Sequence, residues 1–187
     1  MSRAYWKPSN LLNPVPAVLI TCRGANGKVN VMTAAWVGTV CSDPVMVSVS
    51  IRPERYSNAL IRETGEFVMN LTGRNLVMET DYCGVKSGRD TDKIAQLHLK
   101  TVLSRTVSVP ALEKSPVSLE CRVRQILELG SHDMFIAEVT GVSVDETYLD
   151  PQGRLDLQKA DLVAYSHGEY FALGDKLGKF GYSVRKA

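Results

Sequence analysis

"VMVSVSIR", residues 45–52, alternates without a break. Val45, Val47, Val49 and Ile51 fall on one side of an extended chain, and Met46, Ser48, Ser50 and Arg52 on the other. Successive strand side chains point to opposite faces, so the apolar set predicts a strand with one face on a core. The other face carries two small hydroxyls and ends in a cation. Exposed strand faces favour larger β-branched or polar side chains. Small serines in that position leave room for a flat ligand against the backbone.

Strand patterns continue on both sides. Ala17–Cys22 reads as a strand, "GANG" at 24–27 as a turn, and Lys28–Val31 as the return strand, with extended chain over Thr33–Val40. After Val45–Ile51, Ser57–Thr64 reads as a short helix closed by Gly65. Ser57 is its candidate N-cap. Glu66–Leu71 is a strand, Leu76–Tyr82 a helix, "CGVKSGRDTDK" a loop and "DKIAQLHL" a helix. Ser118–Leu129 and Met134–Val144 alternate strongly around a turn at Gly130–Asp133. Many strands with few helices predict a closed barrel, which leaves no sheet edge exposed. No repeat or linker interrupts the pattern, so residues 1–187 read as one domain.

Composition narrows the function. The chain has 187 residues, 44% of them hydrophobic, and a net charge of +2 with Lys and Arg scattered. A basic field for nucleic acid is not expected, nor is a membrane span, since no apolar run reaches about 18 residues. The start, "MSRAYWKPSN", lacks the apolar centre of a secretory leader. Cys22, Cys41, Cys83 and Cys121 form no CxxC pair, so no metal site is expected. Free thiols suit a reducing cytoplasm, and at least three of the four read as small packed hydrophobes.

Two signals point to an anion. Arg52, a serine and a helix start lie close in sequence, a combination suited to phosphate. Lys93 falls in the first turn of its helix if Asp90 or Thr91 caps it. A cation there opposes the helix dipole unless it reaches an anion from elsewhere.

Four segments together resemble the flavin reductase-like, FMN-binding split-barrel family, with the flavoredoxins as the nearest branch. They are "NVMTAAW" (30–36), "SIRPERYSNALI" (50–61), "GEFVMNL" (65–71) and "SGRDTDK" (87–93), and "YSHGEYFALGDKLGKFG" (165–181) also fits that branch. The resemblance implies a mainly β fold: a six-stranded antiparallel Greek-key barrel with flanking helices, forming a homodimer and binding FMN. NADH or NADPH would be a transient co-substrate. Asn30, Met32, Thr33 and Ala34 would line the flavin's polar edge, with Trp36 packed nearby. Ser48, Val49 and Ser50 would run beneath the ribityl chain. Arg52, Ser57, Ser87 and Lys93 would hold the phosphate, and Gly84 and Gly88 would permit close approach. Tyr165 would stack near the ring or pack the tail. Cys83 would sit near the phosphate loop without a redox role.

"GSHDMFIAEV" (130–139) resembles the Gly-Asp-His turn linked to nicotinamide use in many flavin reductases. Ser131 replaces the Asp and Ala137 a second glycine, while His132 remains. His132 is therefore the candidate catalytic residue, with a local hairpin role as the alternative. His98 and His167 have no motif context and read as structural. The expected function is an NAD(P)H-dependent flavin reductase or a flavoredoxin-type electron-transfer protein. The alternatives are a carrier reduced by a partner protein, and a flavin-binding protein without redox turnover.

Overall fold

In the computed structural model, which describes residues 1–184, seven antiparallel strands form one sheet. They are β1 (Val18–Arg23), β2 (Val29–Ala34), β3 (Val37–Ser42), β4 (Val45–Ile51), β5 (Glu66–Leu71), β6 (Val117–Glu128) and β7 (Asp133–Val144). Their order across the sheet is β2-β1-β5-β6-β7-β4-β3. The chain folds as a mainly β split barrel, as expected, but with seven strands rather than six. The ladder does not close. β2 and β3, consecutive in sequence, lie at opposite ends of the sheet. The extended chain expected over Thr33–Val40 breaks at Ala35–Trp36, where it passes from one end to the other. The Trp36 carbonyl accepts the Ser50 N–H at 2.9 Å there.

The barrel interior is filled by Val18, Ile20, Val47, Val49, Ile51, Phe67 and Phe135. A second cluster, including Leu19, Val31, Leu76 and Cys83, packs on the outside of the same strands. β1 is buried on both faces, which explains why "VLITC" does not alternate as β4 does; its one polar side chain, Thr21, donates to the Pro110 carbonyl at 2.7 Å. Val45 departs from the expected core face: it is 49% exposed at the start of β4.

Helix α1 (Tyr56–Thr64) links β4 to β5. Gly65, at φ 69, ends it by donating its N–H to the Ile61 carbonyl at 2.8 Å. Ser57 is not its cap. The N-cap is Arg55, without a side-chain cap bond, and the buried Ser57 hydroxyl instead accepts the Asn30 amide at 2.8 Å. Asn58 of α1 donates to Asp133 at 2.8 Å, and Arg62 pairs with Asp133 and Glu128 at 3.0 Å each. These contacts fix α1 against the turn between β6 and β7.

Helix α2 (Val77–Val85) runs further than expected, taking Cys83 and Gly84 into the helix. Helix α3 (Lys93–Gln96) is shorter and is capped by Asp92 rather than Asp90 or Thr91, with the Ala95 N–H donating to its carboxylate at 3.1 Å. β8 (Val163–Ser166) and β9 (Glu169–Ala172) form a hairpin that pairs with Val15–Pro16 in a separate small sheet. No helix among the described residues is long and apolar enough to cross a membrane.

Candidate functional site

The strand ends, the Ala35–Trp36 break, α2 and the β8–β9 hairpin enclose a cavity of about 860 Å³, within the usual size of a ligand site. Met32, Thr33, Ala34 and Trp36 line it, with Ser50 and Arg52 from the end of β4. Gly84, His132 and Tyr165 complete the set that sequence placed there. A shallower apolar groove of about 340 Å³ adjoins it past Trp36 and Ser50 and takes in Ser48. The small-hydroxyl face of β4 therefore borders open space rather than packed side chains.

Val49 does not belong to this lining. Its side chain is fully buried in the barrel, and its backbone lies between Phe135 and Val37 in the ladder. It is a core residue because its position on β4 has the parity of Val47 and Ile51.

A small cleft of about 20 Å³ opens beside the main cavity, sharing Met32 and Arg55 with it. Asn30, Ser57, Ser87, Gly88 and Lys93 line the cleft. Lys93 is 3% exposed. Its ammonium donates to the carbonyls of Cys83 at 3.2 Å and Lys86 at 3.0 Å, and among the described residues none that lines the cleft is acidic. Burial lowers its pKa, and the Arg55 guanidinium lowers it further. A buried ammonium beside a second cation, with only neutral acceptors, lacks a counter-charge. The sequence signal for an anion at Lys93 thus has a geometric basis.

Arg55 and Lys86, not singled out by sequence, are cations that share the cleft with Lys93, and Arg55 is the one whose charge acts on the Lys93 ammonium. Arg52 lines the main cavity only and lies 3.6 Å from Glu54, half exposed. The motif "RPER" offers two arginines, and only the helix start decides which one turns toward Lys93.

Gly88 is required for a reason other than ligand approach. A Cβ there would fall inside the Asn30 carboxamide and 2.9 Å from the Tyr56 ring. Gly84 meets only ordinary contact, 3.5 Å to Thr33, where α2 rests on β2. The Thr33 hydroxyl donates to the Thr80 carbonyl.

His132 combines both of its readings. Its Nδ1 lies 2.9 Å from the Ser131 hydroxyl, a local turn contact, yet the ring lines the main cavity. Burial and the nearby Arg52 charge push its pKa below the ordinary value. Ala137, in place of the second glycine, is fully buried in the barrel and faces no cavity. Cys22, Cys83 and Cys121 are buried. Burial pushes the Cys22 and Cys83 thiols up to about 11 and Cys121 to about 12, which disfavours the reactive thiolate at neutral pH.

Other lining residues carried no sequence signal. Asn10 and Asn13 come from the N-terminal segment, Asp81 from α2, and His167 and Tyr170 from the β8–β9 hairpin. The Tyr165 and Tyr170 rings meet edge-on at 5.5 Å. Tyr165 therefore both packs the hairpin and faces the cavity.

The flavin reductase like domain family matches residues 11–174. Among solved structures, the flavoredoxin of Desulfovibrio vulgaris (Miyazaki F) superposes with a TM-score of 0.91 and 32% identity, covering 98% of this chain and all of that one. The flavoredoxin from Methanosarcina acetivorans gives 0.90 and 28%, covering 99% and 100%. An FMN-binding protein from Thermus thermophilus gives 0.81 and 25%, covering 95% and 99%.

Proposed function

The chain belongs to the flavin reductase like family, and from that premise we propose that it is an FMN-dependent oxidoreductase that takes electrons from NADH or NADPH. The observation that carries this reading is the acid-free cleft holding Lys93 and Arg55 at the side of the larger cavity. A terminal phosphate monoester supplies the counter-charge the cleft lacks, which favours FMN over a dinucleotide flavin. Lys93, Arg55 and Ser87 would hold the phosphate, with Ser57 kept in place by Asn30. Met32, Thr33, Ala34 and Trp36 would line the ring, and Ser48 and Ser50 the chain between ring and phosphate.

The flavin would supply the electron chemistry; the protein binds, orients and tunes it. With Nδ1 engaged by Ser131, Nε2 of His132 is the nitrogen available to hold a proton or hydrogen bond at the cavity. We further propose that the protein is a cytoplasmic homodimer. Large apolar side chains stand exposed on the terminal segments, among them Trp6, Leu12, Leu177 and Phe180, and a second subunit would cover them.

The test is direct. Purified protein should be yellow and release FMN on heating, and anaerobic NADH or NADPH should bleach it. Release of FAD, or failure to bind added FMN, overturns the cofactor assignment. The structural likeness to two flavoredoxins favours one second reading, a carrier reduced by a partner protein. Bleaching only after a partner reductase is added would select it.

A further inference from the structure

The main cavity keeps positive charge that the small cleft does not use. Arg52 directly follows β4, and His132 directly precedes β7, the neighbouring strand, where Ile51 pairs with Asp133. From a different wall comes His167. It sits at the tip of the β8–β9 hairpin, which is held by Val15–Pro16 and by a 3.4 Å hydrogen bond from Tyr170 to Asp81 of α2. All three residues line the same cavity, and Asp81, already engaged by Tyr170, is its one acidic lining residue among the described residues.

The choice of His167 is not dictated by its turn. His167 and Gly168 have φ 51 and 89, the pattern of a two-residue hairpin that favours Asn-Gly. Asn would satisfy the backbone at lower cost. His tolerates this backbone region, so what sets His167 apart is that it lines the cavity. Arg52 is similarly underused: its nearest acidic partner is Glu54 at 3.6 Å, both half exposed or more, a weak pairing.

We propose that Arg52, His132 and His167 form an anion-binding mouth that recognises the second reactant, the molecule that exchanges electrons with the flavin, through its phosphate or carboxylate group. This rests on the FMN reading above, with the cofactor's own phosphate held separately by Lys93 and Arg55. Arg52 offers a planar pair of donors suited to either oxyanion, and the two imidazoles, carried by different elements, supply further donors.

Two redox-inert probes separate the sources of such an anion. ADP-ribose carries the pyrophosphate of a nucleotide donor, and benzoate is a small aromatic acid. Each is titrated into the FMN-loaded protein while the His132 and His167 ring protons are followed by NMR. At least one probe should shift both imidazole signals saturably, and Arg52→Ala should weaken its binding roughly ten-fold, as for loss of one charge-assisted contact. ADP-ribose alone acting identifies a nucleotide reactant; benzoate alone identifies a small acid. The proposal is overturned if neither probe shifts the two signals. It also fails if adenosine and benzyl alcohol, the uncharged counterparts, shift them as much, or if Arg52→Ala leaves the affinity unchanged. Flavin content, read separately from visible absorbance, tests the cofactor reading by itself. The imidazole signals report the mouth with or without flavin, so the two failures stay distinct.

Discussion

Lys93 and Arg55 face one cleft, ammonium beside guanidinium, and none of the described residues lining it is acidic. Lys93→Met should therefore weaken FMN binding by roughly ten- to hundred-fold, the equivalent of one charge-assisted contact. Riboflavin, which lacks the phosphate, should lose far less. Arg55→Ala should follow the same pattern to a smaller extent, because Arg55 is exposed. Fluorescence titration with both flavins checks this; equal losses for the two would move the phosphate elsewhere.

Gly88→Ala and Gly84→Ala should differ in sign. At 88 the new methyl collides with Asn30 and Tyr56, displacing the amide that holds Ser57, at a cost of about 1–3 kcal/mol. At 84 the methyl meets only Thr33 at 3.5 Å and replaces a helical glycine, a gain of up to about 1 kcal/mol. Thermal melts of the flavin-free proteins decide it.

Asp133 should contribute to acid sensitivity. The Asn58 hydrogen bond, and then Arg62, hold its carboxyl below the usual carboxylate range. A group with a depressed folded pKa adds stability above its ordinary value, and that stability is lost as pH falls through the folded one. Asp133→Asn should cost about 1.5–3 kcal/mol near neutrality, as for a lost charged hydrogen bond. The gap from the parent should narrow below the ordinary carboxylate value of 3.8. Urea unfolding at several pH values measures it.

His132→Ala should leave FMN affinity close to that of the parent and slow anaerobic flavin reduction about a hundred-fold or more, the range of a positioned acid or base. The parent should also lose stability as pH falls through the ordinary imidazole value of 6.5, because burial and Arg52 favour the neutral ring in the folded state. The variant should lack that loss. An unchanged reduction rate would remove His132 from the chemistry and favour the carrier reading.

Sedimentation at micromolar concentration should show a dimer. A stable flavin-loaded monomer would leave Trp6, Leu177 and Phe180 exposed and would refute the dimer.

Strand identity was legible because burial on one face leaves a period of two, and β4 and β5 match their expected limits residue for residue. The start of α1 was not. Ser57 is the better cap by residue type, but its hydroxyl is taken by Asn30 from a strand distant in sequence. The same tertiary choice hid Arg55 behind Arg52. His167 carried no local signal, since its value comes from where a hairpin tip lands. The resemblance groups Val49 with its neighbours at the site, although its parity on β4 directs it inward.

The order of strands in the sheet also fixes an order of assembly. β3 and β4 can pair as a hairpin as soon as both are made, but the other edge of β4 finds its partner only in β7, after β6 has been synthesised. Until then Val47, Val49 and Ile51 have no closed interior to enter, and an unpaired edge is open to the wrong neighbour. Arg52 and Arg55 both follow β4, and Arg52 meets His132 by the same late pairing. The binding cavity is thus among the last parts of the molecule to exist, and a chain stopped short of residue 133 would hold both arginines yet have no cavity for them to line.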